Sequence, residues 1–322
     1  MFGKNKSSSG LPGSKQPQFA TNDVLVRIAE DYVREQKWRR YLRVAFLVLA
    51  FLFVFSLFSS GQTAAVNSAK PHTALVDLNG AIGISGGVFA DQINSSLRKA
   101  FEAKNSKAVV LRVNSPGGSP VQSDEIYSEM RRLRNLYPQK PLHVVVSDIC
   151  ASGGYYIAAA GDQIFANRSS LVGSIGVRMD SFGFVDALEK LGVERRSLTA
   201  GVNKAILDPF LPVQEDQRAH AQTMLDVVHQ QFIEQVKAGR GDRLADDPDL
   251  FSGLFWSGEQ AKELGLIDDY GSLDSVARDV IGYQDIVNYT HQLPLLEQLS
   301  RDLGVSITHG FSAILNDGLK LR

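Results

Sequence analysis

From residue 72 onwards, short apolar runs alternate with stretches in which apolar residues recur at helical spacing. The short runs predict strands, and the stretches between them predict helices. Strands that alternate with helices in this way are typical of βαβ units and a parallel sheet. Strands are expected at 72–78, 81–85, 107–113, 142–147, 163–166, 171–179 and 194–199, and helices at 88–103, 123–136, 186–191, 213–236, 260–264 and 273–280.

The longest of these helices, residues 213–236, has an amphipathic pattern. Pro212 is well placed for its first turn, because proline lacks an N–H that would be unpaired there. The face predicted to be buried carries Ala221, Met224, Leu225, Val228, Phe232 and Val236.

A continuous apolar stretch precedes the α/β region. With its flanks it covers residues 41–60, about the 20 residues that cross a bilayer. Up to Arg43 the chain carries nine Lys and Arg against four Asp and Glu, and the next basic residue after the stretch is Lys70. This bias predicts a single-pass anchor in the cytoplasmic membrane, with the N-terminus in the cytoplasm and the later residues outside it. A cleaved signal peptide and a buried soluble helix are the alternatives.

These patterns divide the chain into five parts. Residues 1–40 are basic, with a disordered start and a short amphipathic helix, and residues 41–60 form the anchor. A linker follows at 61–71, then the α/β region at 72–284 and a helical tail at 285–322.

Composition adds three limits. The 322 residues, 44% hydrophobic and 21% charged, are ample for a core. A net charge of −1 gives no electrostatic case for nucleic acid as a partner. The lone cysteine, Cys150, excludes an intramolecular disulfide framework.

Three glycine-rich segments stand where the backbone must approach another group closely. In residues 148–156, a strand, a tight turn and a helix start put Ser152 at a helix N-terminus, where free N–H groups favour developing negative charge. In residues 112–120, Gly117 and Gly118 follow a strand and could offer N–H groups to an oxyanion, with an ordinary tight turn as the alternative. The third, residues 171–177, contains Ser174.

A serine is a poor nucleophile unless a base accepts its proton. None of the six histidines lies in a loop whose context indicates a positioned base, although a Ser-His-Asp triad stays open. Lysine is the alternative base, and it must be desolvated to be neutral at working pH. Lys204 stands in a mostly apolar loop, so burial and a solvated position are both open for it.

The combined motifs resemble the signal peptide peptidase A family. The resemblance runs from about residue 73 to 283 and rests on Asn-Ser-Pro-Gly-Gly, Ala-Ser-Gly-Gly-Tyr-Tyr, Gly-Ser-Ile-Gly-Val, Asn-Lys-Ala-Ile-Leu-Asp-Pro-Phe, Trp-Ser-Gly-Glu-Gln-Ala and Leu-Gly-Leu-Ile-Asp, in that order. It implies a membrane-anchored serine–lysine peptidase on a Clp-protease/crotonase-like fold of stacked βαβ units. The single catalytic region is similar to the short form of the family, which implies a homo-oligomeric ring, with an octamer expected.

The resemblance also implies a role for each matching residue. Ser152 matches the nucleophile and Lys204 the general base, while Ser174 matches a serine that orients the lysine. Gly118 and the backbone N–H of Gly153 match the oxyanion hole. The implied substrates are signal-peptide remnants or other extended apolar peptides, and neither a metal nor a cofactor is implied.

Other functions and other interpretations of single residues are also compatible with the sequence. The chain could be a catalytically silent membrane scaffold that binds peptides on the same fold, or a crotonase-like acyl-CoA enzyme. Cys150 is expected to be a small buried residue rather than a thiol nucleophile. The tripeptide Arg240-Gly241-Asp242 is expected to end a helix, and the acidic run 246–249 to form a solvated turn.

Overall fold

The computed structural model describes residues 37–51 and 69–291, together with Tyr32 and Arg34. The chain divides into two compact units, Met1–Ala65 and Val66–Arg322. In the first unit, residues 37–51 form one helix, α1, whose apolar side chains are mostly exposed. Among the described residues, no helix combines the length and the apolar character that crossing a membrane requires. The predicted anchor, residues 41–60, lies partly outside the described residues, and so do most of the linker and the tail.

The second unit is an eight-stranded mixed sheet with helices between its strands. Its strands are β1 (His72–Asn79), β2 (Ser106–Ser115), β3 (Leu142–Ala151), β4 (Gln163–Ala166), β5 (Leu171–Gly173), β6 (Phe255–Ser257), β7 (Asp269–Tyr270) and β8 (Ile286–Asn288). Its helices are α2 (Ala90–Glu102), α3 (Pro120–Leu136), α4 (Gly153–Ala158), α5 (Val185–Lys190), α6 (Glu215–Arg240), α7 (Gly258–Glu263) and α8 (Leu273–Ser275), with a 3₁₀ turn at Gly241–Arg243 and a π-helical turn at Val276–Ile281.

The strands run in the order β6-β5-β3-β2-β1-β8, with β4 beside β3 and β7 beside β4. All of these pairs are parallel except β5 with β6. This mixed α/β sheet is consistent with the expected Clp-protease-like fold. The parallel strands are apolar on both faces because both faces are covered.

Side-chain alternation along the strands builds two layers of core. On β2, Val109, Leu111 and Val113 join the main core, while Val110 faces the opposite side. The main core lies against α2, α3 and α4, which supply Leu97, Ile126, Tyr155 and their neighbours. The smaller cluster on the other face consists of Val110, Val145, Phe165 and Val276.

Most of the predicted elements between residues 72 and 166 are confirmed within a few residues. The strand expected at 81–85 is wrong, because Ile82 makes only isolated bridges to Val88 and Gly118 within a loop. The strand expected at 171–179 ends at Gly173, because the next residue, Ser174, has a φ of 51° and turns the chain away from the ladder.

Residues 174–214 leave the sheet. The strand expected at 194–199 is wrong: these residues are exposed and find no strand to pair with. α6 begins at Glu215, so Pro212 precedes its first turn rather than occupying it. Of the predicted apolar face of α6, Ala221, Phe232 and Val236 are buried, whereas Met224 is exposed.

Candidate active site

Ser152 occupies a sharp turn between β3 and α4. Its backbone has φ 52° and ψ −123°, a conformation that L-residues rarely adopt. Two hydrogen bonds hold this conformation: Ser152 N–H donates to Gly173 O at 2.8 Å, and Ser152 O accepts the N–H of Tyr156 at 2.9 Å. The predicted position of Ser152 at the start of a helix is therefore confirmed, and its side chain is half-buried.

A second turn, Pro116 to Gly118, lies directly against Ser152. A Cβ on Gly117, whose φ is 97°, would come within 2.8 Å of both Gly153 N and Ser152 Cβ. Only a glycine at position 117 allows the two segments of the chain to approach so closely. The turn at the end of β2 is thus part of the surroundings of Ser152.

The same packing brings two backbone N–H groups together. The site of a Cβ on Gly153 would be 3.3 Å from Gly118 N. Within residues 69–291, neither the N–H of Gly118 nor that of Gly153 donates a hydrogen bond. Two free donors beside a serine hydroxyl are the chemical requirement of an oxyanion hole.

The loop that contains Ile82 fixes the direction of the Gly118 N–H. Ile82 N–H donates to Gly117 O at 2.9 Å, and Ser119 N–H donates to Ile82 O at 2.9 Å. In a trans peptide the C=O and the next N–H point in opposite directions. Because Gly117 O faces Ile82, the Gly118 N–H faces away from it. This role of Ile82 was not predicted, because residues 81–85 were expected to form a strand.

Ser174 stands beside Ser152 at the end of the neighbouring strand. In the parallel ladder of β3 and β5, Ala151 is opposite Gly173, so the residues that follow them are Ser152 and Ser174. Ser174 N–H donates to Leu254 O at 2.7 Å. His229 Nε2 is 3.1 Å from Ile175 O, which places a residue of α6 against the same turn.

Lys204 makes no hydrogen bond to Ser152 or Ser174 among the described residues. It lies in a run of turns, and its side chain is exposed, with no hydrogen bond or ion pair to Nζ among the described residues. Val202 beside it is 95% exposed. Of the two positions left open, the solvated one is therefore present within residues 69–291, because residues 174–214 leave the sheet and Lys204 is exposed.

The histidines do not supply a base to Ser152 in the described residues. His72 contacts Lys70 O and the hydroxyl of Tyr289, and His229 contacts Ile175 O. His143 is buried in β3, its Nδ1 has no partner there, and burial lowers its pKa. His309 lies outside the described residues. No described histidine is hydrogen-bonded to Ser152, so the triad alternative gains no support from this geometry.

The other expectations concern residues near the site or resembling one. Cys150 is buried, and this burial raises the pKa of its thiol, which makes it a core residue rather than a nucleophile. Arg240 ends α6, with Gly241 at a φ of 56° after it, so the expected helix end is confirmed. Among the described residues, no group of three or more His, Cys, Asp or Glu could hold a metal ion.

A family profile and several known proteins that match this chain indicate the same family of peptidases. The sequence profile described as "Peptidase family S49" matches residues 134–281, a range that contains Ser152, Ser174 and Lys204 but not Gly118. A putative protease of Methanocaldococcus jannaschii is 32% identical over 215 residues, which are 65% of this chain and 68% of that protein. A "Putative signal peptide peptidase SppA" of Enterococcus faecium is 34% identical over 189 residues, 58% of this chain and 54% of that protein.

A higher identity is found in a protein with a different name. "Na(+)/H(+) antiporter NhaA" of Brucella abortus (strain 2308) is 47% identical over 232 residues, 69% of this chain. The match covers only 31% of that protein, so the chain spans about a third of its length. The name of that whole protein therefore assigns no role to the matched part.

Proposed function

Because the chain belongs to peptidase family S49, we propose that it is a membrane-anchored serine endopeptidase in which Ser152 is the nucleophile and Lys204 the general base. One observation carries the proposal. The strained turn of Ser152 lies against two backbone N–H groups, those of Gly118 and Gly153, that make no hydrogen bond within residues 69–291. A turn that presents a hydroxyl beside free donors serves acyl transfer.

The reaction has two halves. Neutral Lys204 Nζ takes the proton of Ser152 Oγ while Oγ attacks the scissile carbonyl, and the N–H groups of Gly118 and Gly153 stabilise the oxyanion. The C–N bond then breaks, and the ammonium returns its proton to the leaving amine. In the second half, neutral Lys204 removes a proton from water, which attacks the acyl ester. The ester C–O bond then breaks, the ammonium returns its proton to Ser152 Oγ, and the acid product leaves. Ser174 orients the amine.

This mechanism places a condition on Lys204. A lysine in water is protonated at neutral pH and cannot accept a proton. The exposed loop must therefore be covered before Lys204 can act, since desolvation favours the neutral amine. We propose that a second copy of the chain covers it in a homo-oligomeric ring, with an octamer as the expected size. The exposed apolar side chains between residues 179 and 213 are consistent with such a contact: Met179, Phe182, Phe184, Leu191, Val193, Leu198, Val202, Phe210 and Val213.

The proposed substrates are extended apolar peptides, including the remnants of signal peptides. The relative of Enterococcus faecium that is named for signal peptides supports this class. The apolar stretch 41–60 would hold the catalytic unit at the outer side of the cytoplasmic membrane, where such remnants remain. In α1 the apolar side chains of Leu42, Phe46 and Leu49 are exposed, as lipid contact requires.

The test uses the full-length protein in detergent and a fluorophosphonate probe, which reacts with activated serines. Labelling and peptide cleavage are expected in the wild type, and both should be lost in Ser152→Ala and Lys204→Ala that retain wild-type melting temperatures. Full cleavage by either variant would reject the mechanism. If a second copy completes the site, mixing the two variants before assembly should restore part of the cleavage.

A silent peptide-binding scaffold is the second candidate. The exposed position of Lys204, with no hydrogen bond to Ser152 among the described residues, is the observation that favours it. The same experiment separates the two candidates, because a scaffold would bind peptides without reacting with the probe at Ser152.

A further inference from the structure

The turn that carries Gly118 is anchored by a buried polar contact that the proposed reaction does not use. Ser115 is the last residue of β2, and it is fully buried. Its Oγ accepts the N–H of Gly117 at 3.1 Å. We propose that Ser115 is a positioning residue for the oxyanion hole, because its hydroxyl fixes the turn that aims the Gly118 N–H. This inference rests on the peptidase function proposed above.

The contact completes the restraint of Gly117. Its N–H is bound by Ser115 Oγ, and its carbonyl oxygen is bound by the N–H of Ile82 at 2.9 Å. The bond to Ser115 holds the peptide plane between Pro116 and Gly117, and the bond from Ile82 holds the plane between Gly117 and Gly118. The N–H of Gly118 belongs to the second plane, and the first bond restrains the rotation about Gly117 that would turn it.

Ser115 also lies against the segment that carries the second donor, the N–H of Gly153. It is opposite Cys150 in the ladder of β2 and β3. A Cβ on Gly154 would lie 3.1 Å from Ser115 O and 3.3 Å from Ser115 Cβ. One buried residue therefore lies between the turn that carries Gly118 and the helix start that carries Gly153. It can set the spacing between the two donors.

Alanine at this position would remove the acceptor and leave the N–H of Gly117 without a partner. A buried donor that loses its acceptor is strongly unfavourable, so the turn is expected to rotate until the N–H finds another. Any such rotation also turns the Gly118 N–H away from the oxyanion. The loss should affect the transition state more than substrate binding, because the oxyanion exists only there.

The experiment compares Ser115→Ala with Ser106→Ala in the full-length protein. Ser106 is the matched control: it begins the same strand, is 3% exposed, and its Oγ donates to Ala108 O at 3.3 Å. The measurements are kcat and KM on a fluorogenic peptide, and inhibition by a peptidyl boronate whose adduct with Ser152 places an anionic oxygen in the hole. We expect Ser115→Ala to lower kcat about 10- to 100-fold and to weaken the boronate by a similar factor, with KM nearly unchanged. Ser106→Ala should match the wild type in all three.

A second variant with a side chain of similar shape keeps the inference testable if Ser115→Ala does not fold. Ser115→Cys retains a weak acceptor and should fall between the wild type and Ser115→Ala, and it carries the test if the alanine variant does not fold. A kcat and a boronate affinity equal to those of Ser106→Ala would overturn the inference, and so would a raised KM with unchanged kcat. If a fluorophosphonate does not label the wild type at Ser152, both the proposed function and this inference are rejected. If it does label Ser152, the kinetic comparison tests the inference alone.

Discussion

The segment that carries Ser152 is mostly buried, whereas the segment that carries Lys204 is exposed along most of its length. Around Ser152, most of the strand β3, the whole of the helix α4 and Gly117 are buried, whereas Pro116 and Gly118 are exposed. Residues 191–204 are all exposed, and Leu198 makes no contact that removes it from solvent. One chain thus assembles the proposed nucleophile and oxyanion hole but leaves Lys204, the proposed base, exposed.

This difference shows that the two halves of the site are determined by different contacts. The surroundings of Ser152 follow from strand pairing and from glycines that allow close approach within one fold. If Lys204 is the base, as proposed, the surface that covers it is one that residues 69–291 do not provide. In the proposed ring, the isolated chain would be inactive, because Lys204 would be covered only on assembly.

The largest expected effect breaks the packed half. In Gly117→Ala the new Cβ would come within 2.8 Å of Gly153 N and Ser152 Cβ, at a φ of 97°. Displacing these groups should lower kcat/KM by at least about 100-fold. The control is Gly192→Ala, which has a φ of 66° but no atom within 4 Å of the new Cβ, so it shares the backbone strain without the contact. Equal activities for the two variants would show that Gly117 does not restrain the site.

The next effect compares two interior positions of α6, one buried and one exposed. Phe232 is 4% exposed, and its ring lies 5.1 Å from that of Tyr156 in α4, whereas Met224 is 47% exposed. Phe232→Ala should reduce the free energy of unfolding by about 3–5 kcal/mol. Met224→Ala should change it by less than about 0.5 kcal/mol in the dissociated chain. Urea titrations measure both free energies of unfolding. A large decrease for Met224→Ala would mean that this position of the helix is packed as well.

The sequence predicted the packed half well because its signals are local. The apolar runs that form β1, β2 and β3 are long enough to be recognised, and the glycines at 117, 118 and 153 lie where strands end. The extent of the strands was harder to predict. Residues 175–179 are apolar enough for a strand, but the left-handed conformation of Ser174 turns the chain away, and no sequence rule assigns that conformation to a serine.

The exposed half could not be predicted because its pattern indicates burial that one chain does not supply. Val202, Ala205 and Ile206 around Lys204 resemble the lining of a core, and residues 194–199 have a strand-like pattern. A strand forms only where an edge is free to pair with it. In the same way, the contacts of Ser115 and Ile82 could not be predicted. Ser115 belongs to the Asn-Ser-Pro-Gly-Gly motif, but its hydrogen bond to the Gly117 N–H depends on how the turn folds.

The third prediction concerns acid stability of the packed half. Burial alone raises the pKa of Asp268, but the hydrogen bonds from Arg240 and from the N–H of Ile164, with the charges of Arg240 and Arg243, outweigh it and hold the pKa below its usual value. A lowered pKa means that the ionised carboxylate stabilises the fold above the usual value of 3.8, and that this contribution is lost as the pH falls through the folded-state pKa.

Asp268→Asn should therefore reduce the free energy of unfolding by about 1.5–3 kcal/mol at pH 7. The difference from the wild type should shrink as the pH falls below 4. The matched control is Asp269→Asn, whose exposed carboxylate pairs with Lys262 at the surface and should contribute little. A difference between Asp268→Asn and the wild type that stays constant down to pH 2 would contradict the assignment.

The smallest expected effect lies in the exposed half, and it is informative because it should be nearly zero. Leu198→Ser and Val202→Ser remove apolar side chains that touch almost nothing in one chain, so the unfolding free energy of the dissociated chain should change by less than about 0.5 kcal/mol. If a second copy covers these residues, the same substitutions should lower the mass of the assembled protein in light scattering and reduce cleavage with it. A loss of stability above about 1 kcal/mol in the dissociated chain would instead mean that the segment packs onto its own domain, and the contrast with the Ser152 half would disappear.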